Sequence, residues 1–528
     1  MIRKTVVTRW LGGLGGIVLF LPLLYLFAGS LRDGGLAWAT AFDAAFGGES
    51  WKLLGRSLVL AFGGGLIACL LGAGAALVFE RRRFPLAGFW RASALAALVC
   101  PPVFHVAVWE RLAVPGGMLE FLLPFATDGV SPFPIRNLGF ACWLLGLTYS
   151  PLFFFLVGTG LRALPTGVVE AARLSRGPVA VYWRVILPLV APWFVAAGGV
   201  SFPLLFLNYE VPRLLDLYTY PVLIHVEYAA RNDPGAAFAM AAPGFVLTLL
   251  VLLPCMRWAQ RRGFALSGRE SGRGPSRSDT PSPRAGAWLL FLVWWSLVTV
   301  LPVGILVWIT GDFDAVHRAW LTDWERVGWS AVVAGVTACA AVILSVVLLL
   351  LRRGVSGQVG IVFWVLLALP GSLLGFALIS LCQREPLFSL YDSWGILVVA
   401  GVFRFFPLAY YALAAHLCTV PPSLWEAAQL GPSRLRRWRV VGVPLMAPGL
   451  VAGTVAVTLF ASQELAATVL LAPPGREPLI VRIYNLLHYD PERNVLAALA
   501  LLQIGVILAL TAGFVWLGRW LERGLPKP

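Results

Sequence analysis

The sequence predicts an all-α membrane protein of about 12 transmembrane helices, arranged as two parallel six-helix repeats. Three observations predict it: a composition too apolar for water, apolar runs long enough to cross a bilayer, and one polar-then-basic stretch that occurs twice. Of the 528 residues, 59% are hydrophobic and only 13% are charged, with a mean hydropathy of +0.81. A soluble chain carries roughly 25% charged residues. A helical span needs about 20 mostly apolar residues, and such runs recur throughout. Helices are the default because hydrocarbon leaves an open sheet edge without partners. A transmembrane barrel would show alternating segments of ~10 residues, whereas these runs are longer and unbroken.

The apolar runs place six spans at about 10–28, 57–79, 92–109, 139–161, 187–207 and 236–256. Six more fall at about 286–309, 328–351, 359–382, 394–417, 443–461 and 495–518. The first run, from about Trp10 to Ala28, exceeds the ~7–15 apolar residues of a cleaved signal peptide. It is therefore expected to be a retained span. The stretch 265–286, ALSGRESGRGPSRSDTPSPRAG, is rich in Ser, Gly, Pro and Arg and has no apolar period. It is expected to be a flexible cytoplasmic linker between a first unit, 1–264, and a second, 287–528. An even number of spans before it leaves both units in one orientation.

Basic residues set that orientation. Termini, linker and alternate loops group on one side, with 27 of the 41 Lys+Arg and 6 of the 26 Asp+Glu. The asymmetry predicts cytoplasmic termini. It also accounts for the net charge of +15, since arginines on that side face anionic headgroups and no nucleic acid is needed. The seven cysteines are scattered through apolar runs with no metal-ligand or disulfide spacing. They are expected to be small buried helix residues.

The two halves read as copies. Residues 170–192, EAARLSRGPVAVYWRVILPLVAP, align without gaps to 426–448, EAAQLGPSRLRRWRVVGVPLMAP, with nine identities. The same offset of 256 pairs Pro151 with Pro407. Glu210 and Glu464 match at nearly that offset. A parallel repeat predicts a pseudo-two-fold axis along the membrane normal, with the pathway between the halves. Each stretch should form a short helix from its EAA, a break at Gly177-Pro178 or Gly431-Pro432, and a second, basic helical piece. A helix held between breakers on the cytoplasmic side is shaped to be gripped by another protein. Ser423 and Glu426 could form a capping box, but the first copy has no matching Ser. Capping alone does not account for the repeated glutamate. Positive-inside anchoring is the competing account of the arginines.

These stretches resemble the EAA loops of type I ABC-importer permeases. The family pattern is EAA, three residues, Gly, nine residues, then Ile-x-Leu-Pro. Here the spacing from Glu to Pro is one residue short in both copies. Gly177 falls one position late and Gly431 one early. The resemblance covers essentially the whole chain as two permease units in one polypeptide, similar to ferric-iron and thiamine importer permeases. It implies that Glu170, Ala171, Ala172, Gly177, Glu426, Ala427, Ala428 and Gly431 couple to two copies of a cytoplasmic ABC ATPase. It also implies an extracytoplasmic substrate-binding protein and a bacterial inner-membrane location. The segment SQELAATVLLAPPGREPLIVRIYNLL, from Ser462, looks most like the ferric-iron group. Ferric iron is the leading expected substrate, with thiamine, polyamines and oxyanions behind it.

A phosphate-cradling P-loop needs Gly-Lys-Ser/Thr. The only lysines are Lys4, Lys52 and Lys527, and none follows glycine. No cofactor, catalytic centre or metal centre is expected on this chain. ATP and Mg are expected on the partner ATPase.

Three residues are pathway candidates. Arg404 falls mid-span, where a charge defaults to function: it could meet an anionic substrate or pair with a carboxylate across the interface. Its counterpart is Thr148. Glu210 and Glu464 begin loops after the fifth span of each half. They are either hard-oxygen ligands suited to ferric iron, or solvated loop carboxylates or contacts for the binding protein. His105 is expected to be a hydrogen-bonded core residue, and the 22 tryptophans to form interfacial belts and packing. Two other classes compete with the ABC permease. An ion-coupled secondary transporter with parallel six-helix halves wants buried acidic relays. A membrane enzyme wants clustered Asp, His or Lys. The sequence supplies neither.

Overall fold

A computed structural model describes residues 50–522 apart from 83, 114–134, 176, 232–233, 268–284, 352–360, 384–386, 421–437 and 490–492, with isolated positions between 20 and 47. Among the described residues the secondary structure is helical, with no strand. Nine helices among the described residues are long and apolar enough to cross a membrane, or ten if one bent pair counts as a span.

In the first half, the spanning helices are α1 (Ser50–Glu80), the bent pair α2 (Ala87–Val99) and α3 (Pro102–Ala113), and α4 (Leu138–Arg162). The short α5 (Thr166–Ser175) follows, then the span α6 (Val179–Phe206). Two short helices, α7 (Glu210–Leu214) and α8 (Tyr220–Arg231), lead to the long α9 (Pro234–Ser267). In the second half, α10 (Ala285–Thr310) and α11 (Phe313–Leu351) precede two short apolar pieces, α12 (Trp364–Leu367) and α13 (Gly371–Cys382). The remaining elements are α14 (Gly395–Thr419), α15 (Val440–Ala461), α16 (Leu479–Tyr489) and α17 (Arg493–Glu522).

Two of the twelve expected spans are broken. The run at 92–109 bends by 89° between α2 and α3. Cys100 is extended there (φ −79°, ψ 104°), as a residue before proline must be. The run at 359–382 breaks at Pro370 (ψ 134°), which leaves α13 with 12 residues. Both breaks follow from prolines that offer no backbone N–H to the helix ladder. The span expected at 10–28 lies outside the described residues but for isolated positions. So does the linker between Ser267 and Ala285. α11 is longer than expected because an amphipathic turn precedes its kink at Asp323 (φ −121°).

Small residues let the spans approach closely. At Gly72, in a π-turn of α1, a Cβ would collide with the Ser150 carbonyl of α4. The halves also interlock. Span α10 packs its aromatic face on the first half: Phe291 on Phe79 (4.9 Å), Trp294 on Phe154 (4.7 Å) and Trp288 against Phe84 (4.6 Å). Trp294 Nε1 donates to Ser150 Oγ (3.0 Å) and Trp295 Nε1 to Ser93 Oγ (2.9 Å). Of the cysteines, Cys100, Cys142 and Cys382 are buried, while Cys339 is exposed on α11; all seven are free thiols.

Candidate functional site

Arg404 lies nine residues into α14, about 14 Å along its axis. There it is 6% exposed. Its Nη1 donates to Glu464 Oε1 at 2.9 Å, and the same oxygen accepts the Ala467 N–H at 3.1 Å. Arg404 does pair with a carboxylate, but the partner lies in its own half and not across the interface as expected. Glu464 stands three residues beyond the end of α15. The chain turns there and keeps the carboxylate inside the bundle, 12% exposed at its side chain. Room for the pair comes from the broken span. A Cβ on Gly371, the first residue of α13, would overlap both Arg404 Nη1 and Glu464 Oε1.

Glu210 arrives from the other half. It opens α7, just past the end of α6, and is 7% exposed. It is therefore no solvated loop carboxylate. The Leu465 backbone N–H reaches its carboxylate, whereas Oε2 has no hydrogen-bond partner. Glu210, Arg404 and Glu464 line one small pocket of about 40 Å³ with Tyr149, Asn208 and Gln463. The position matching Arg404, Thr148, is buried and returns its hydroxyl to the Leu144 carbonyl at 2.9 Å. Two carboxylates and one guanidinium thus meet at the boundary of the halves.

Above this pocket Tyr209 and Tyr484 bring their hydroxyls to 3.5 Å, one from each half. Burial, then the Tyr209 contact, pushes the Tyr484 hydroxyl above the ordinary phenol range. It stays protonated. The His225 ring lies 4.5 Å from that of Tyr209. Burial, then the Arg213 charge, pushes its imidazole below the usual value and keeps it neutral at neutral pH. His105 is 1% exposed, yet neither ring nitrogen has a partner among the described residues. The expected hydrogen bond is absent there. No group of three or more His, Cys, Asp or Glu among the described residues could hold a resident metal ion.

The described residues of the first EAA stretch lie near the start of α6, the end of that span away from Glu210. In α5, Val169 is buried against the core and Ala172 is half-buried, while Glu170 and Ala171 are exposed. Leu174 is 91% exposed, and beyond the break Val179 and Trp183 are 70% and 62% exposed. Gly177 opens the second helical piece and is exposed. Glu426, Ala427, Ala428 and Gly431 lie outside the described residues. Sequence reasoning missed what anchors α5. Glu80, at the end of α1, is 5% exposed at its side chain. It pairs with Arg91 of α2 (2.7 Å) and with Arg162, the last residue of α4. Arg162 precedes α5 by only a short turn. The signal was a lone Glu before Arg81-Arg82-Arg83.

A bundle of apolar spans with a small, charged pocket between its halves, and a half-exposed helix at one end, is the build of a membrane transport protein. The chain belongs to the permease proteins of binding-protein-dependent ABC importers. It is 30% identical over 204 residues to the molybdenum transport system permease protein ModB of Mycobacterium bovis, covering 36% of this chain and 72% of that relative. It is 23% identical over 495 residues to the Fe(3+)-transport system permease protein FbpB 2 of Haemophilus influenzae, covering 89% of this chain and 90% of the relative. A shorter match, 35% over 113 residues, joins it to the trehalose transport system permease protein SugB of Mycobacterium tuberculosis. No family profile matches the chain.

Proposed function

We propose that this chain is the transmembrane permease of an ATP-driven importer for ferric iron, with both permease units in one polypeptide. One observation carries the substrate: the relative that aligns along nearly the whole chain is an Fe(3+)-transport permease. The molybdenum and trehalose relatives align over shorter stretches. The path runs between the halves past Glu210, Arg404 and Glu464. The chain itself hydrolyses nothing; ATP and Mg belong to the partner. Glu170, Ala171 and Ala172, with Gly177 behind them, form one docking lever for a cytoplasmic ATPase subunit. Glu426, Ala427, Ala428 and Gly431 form the other, so one permease serves two ATPase copies.

The lever function is supported by the character of α5. A helix pinned through Val169 leaves Leu174 exposed, and Val179 and Trp183 just beyond the break are exposed as well, so this stretch has apolar surface to spare for a partner. The termini and linker share its cytoplasmic side in an inner membrane. An extracytoplasmic binding protein docks at the other end. That end has an open cleft of about 600 Å³ lined by Arg111, Trp308, Arg318 and Arg493.

Reconstitution tests the proposal. Proteoliposomes with the cognate ATPase and binding protein should take up ferric iron only with ATP inside. Uptake driven by an ion gradient, with no ATPase subunit present, would instead establish a secondary transporter.

A further inference from the structure

We propose that the pocket between the halves is a transit site for a hard metal cation, and that Arg404 is a tethered cation that fills it between transport events. This rests on the importer proposed above and deepens it: it names the charge class the path accepts and the residue that holds the empty site closed.

Charge is the first ground. Both halves send a glutamate to the same pocket, but only the second supplies a guanidinium. Arg404 is committed to Glu464, whose oxygen also takes the Ala467 N–H. Glu210 keeps one oxygen, Oε2, bare at 93% burial. A buried carboxylate oxygen without a partner is costly, and such groups in native structures call for a ligand or a function. Arg404 Nε is also without a partner among the described residues, but an oxyanion that reached it would share the small pocket with two glutamates. Burial, then the Glu464 charge, pushes the Glu210 carboxyl pKa up to about 8, so a metal cation binds there by displacing its proton, and gains a second carboxylate when Arg404 lets go.

Donor chemistry is the second. The oxygens around the pocket are carboxylate, phenol (Tyr149) and amide (Asn208, Gln463), the set hard cations prefer. The pocket's volume of about 40 Å³ suits an ion with a water and no organic substrate. Only two carboxylates are present, so the site holds an ion loosely. A path needs sites weak enough to leave. Arg404 supplies the release: as the ion departs, the guanidinium returns to Glu464 and restores the pair.

Binding is read with terbium(III), a hard trivalent probe, by aromatic-sensitised luminescence of the full-length chain in detergent. Glu210→Gln is expected to weaken terbium binding at least tenfold. Arg404→Gln, which removes the competing cation, is expected to tighten it at least tenfold. Arg404→Lys, which keeps the charge, should stay near wild type. Unchanged affinity in Glu210→Gln, or weaker affinity in Arg404→Gln, overturns the proposal. Should Arg404→Gln fail to fold, the near-isosteric Glu210→Gln still decides. Proteoliposomes with the ATPase and binding protein separate the two levels. ATP-driven uptake of molybdate but not iron sinks the cation site and the ferric-iron substrate with it, and leaves only the ATP-driven permease role standing. Uptake that needs no ATPase sinks the importer itself.

Discussion

Gly371 is the residue on which the central ion pair depends sterically. No side chain fits at its position, because a methyl group would occupy the space of Arg404 Nη1 and Glu464 Oε1. Gly371→Ala should part the pair and leave a buried charge unmatched, a change that costs roughly 3–5 kcal/mol for fully buried pairs. A lowered unfolding temperature in detergent and loss of uptake would verify this. Glu80 is a second such position. Glu80→Gln should strip the charge from two arginine contacts at the root of α5, at about 2 kcal/mol. Both arginines are partly solvated, at 36% and 43% exposure, which sets the cost below that of the central pair. The variant should fold, and its ATPase stimulation should fall more than its thermal stability. Residue identity was legible at these places, but partnership was not. Arg404 stood out in the sequence as a charge inside an apolar run. That its partner would be Glu464, sixty residues on, depended on how the chain turns after α15.

At the scale of elements, α5 divides its faces by function. Val169 holds it to the bundle, whereas Leu174 contributes almost nothing to the fold, being 91% exposed. Leu174→Asp should therefore leave the unfolding temperature unchanged and reduce ATPase affinity at least tenfold, measured by co-purification. An equal loss from Val169→Asp together with a lower unfolding temperature would report misfolding instead. The spans themselves were legible because hydropathy is a local property: any run of about 20 apolar residues is stable across a bilayer wherever it sits. The breaks were less so. Pro101-Pro102 and Pro370-Gly371 mark them in the sequence. A proline alone does not say whether a span kinks and continues or stops, because neighbouring helices supply the lost hydrogen bonds. In α4 and α14, Pro151 and Pro407 are absorbed within helices, while at Cys100 and Pro370 the helix ends.

For the whole molecule, the crossing of α10 onto the first half matters most. Its Phe291 and Trp294 are almost fully buried among Phe79 and Phe154. The halves should therefore hold together without the covalent link. A protease site placed within 268–284 and cut after purification should yield two fragments that migrate as one particle. Trp294→Ala should loosen that association, since aromatic truncations in a packed core cost about 3–5 kcal/mol.

The sequence by itself determined that this chain lives in a bilayer, that its secondary structure is helical and where most helices run. Each of these is decided by short stretches against a fixed solvent. Only the tertiary structure decided that Glu210, Arg404 and Glu464 share one pocket. A carboxylate past the end of a span is solvated or buried according to what packs over it. For Glu210 those groups come from the opposite half, about 200 to 250 residues on, whereas Glu464 is covered from its own half by Arg404 and Gly371.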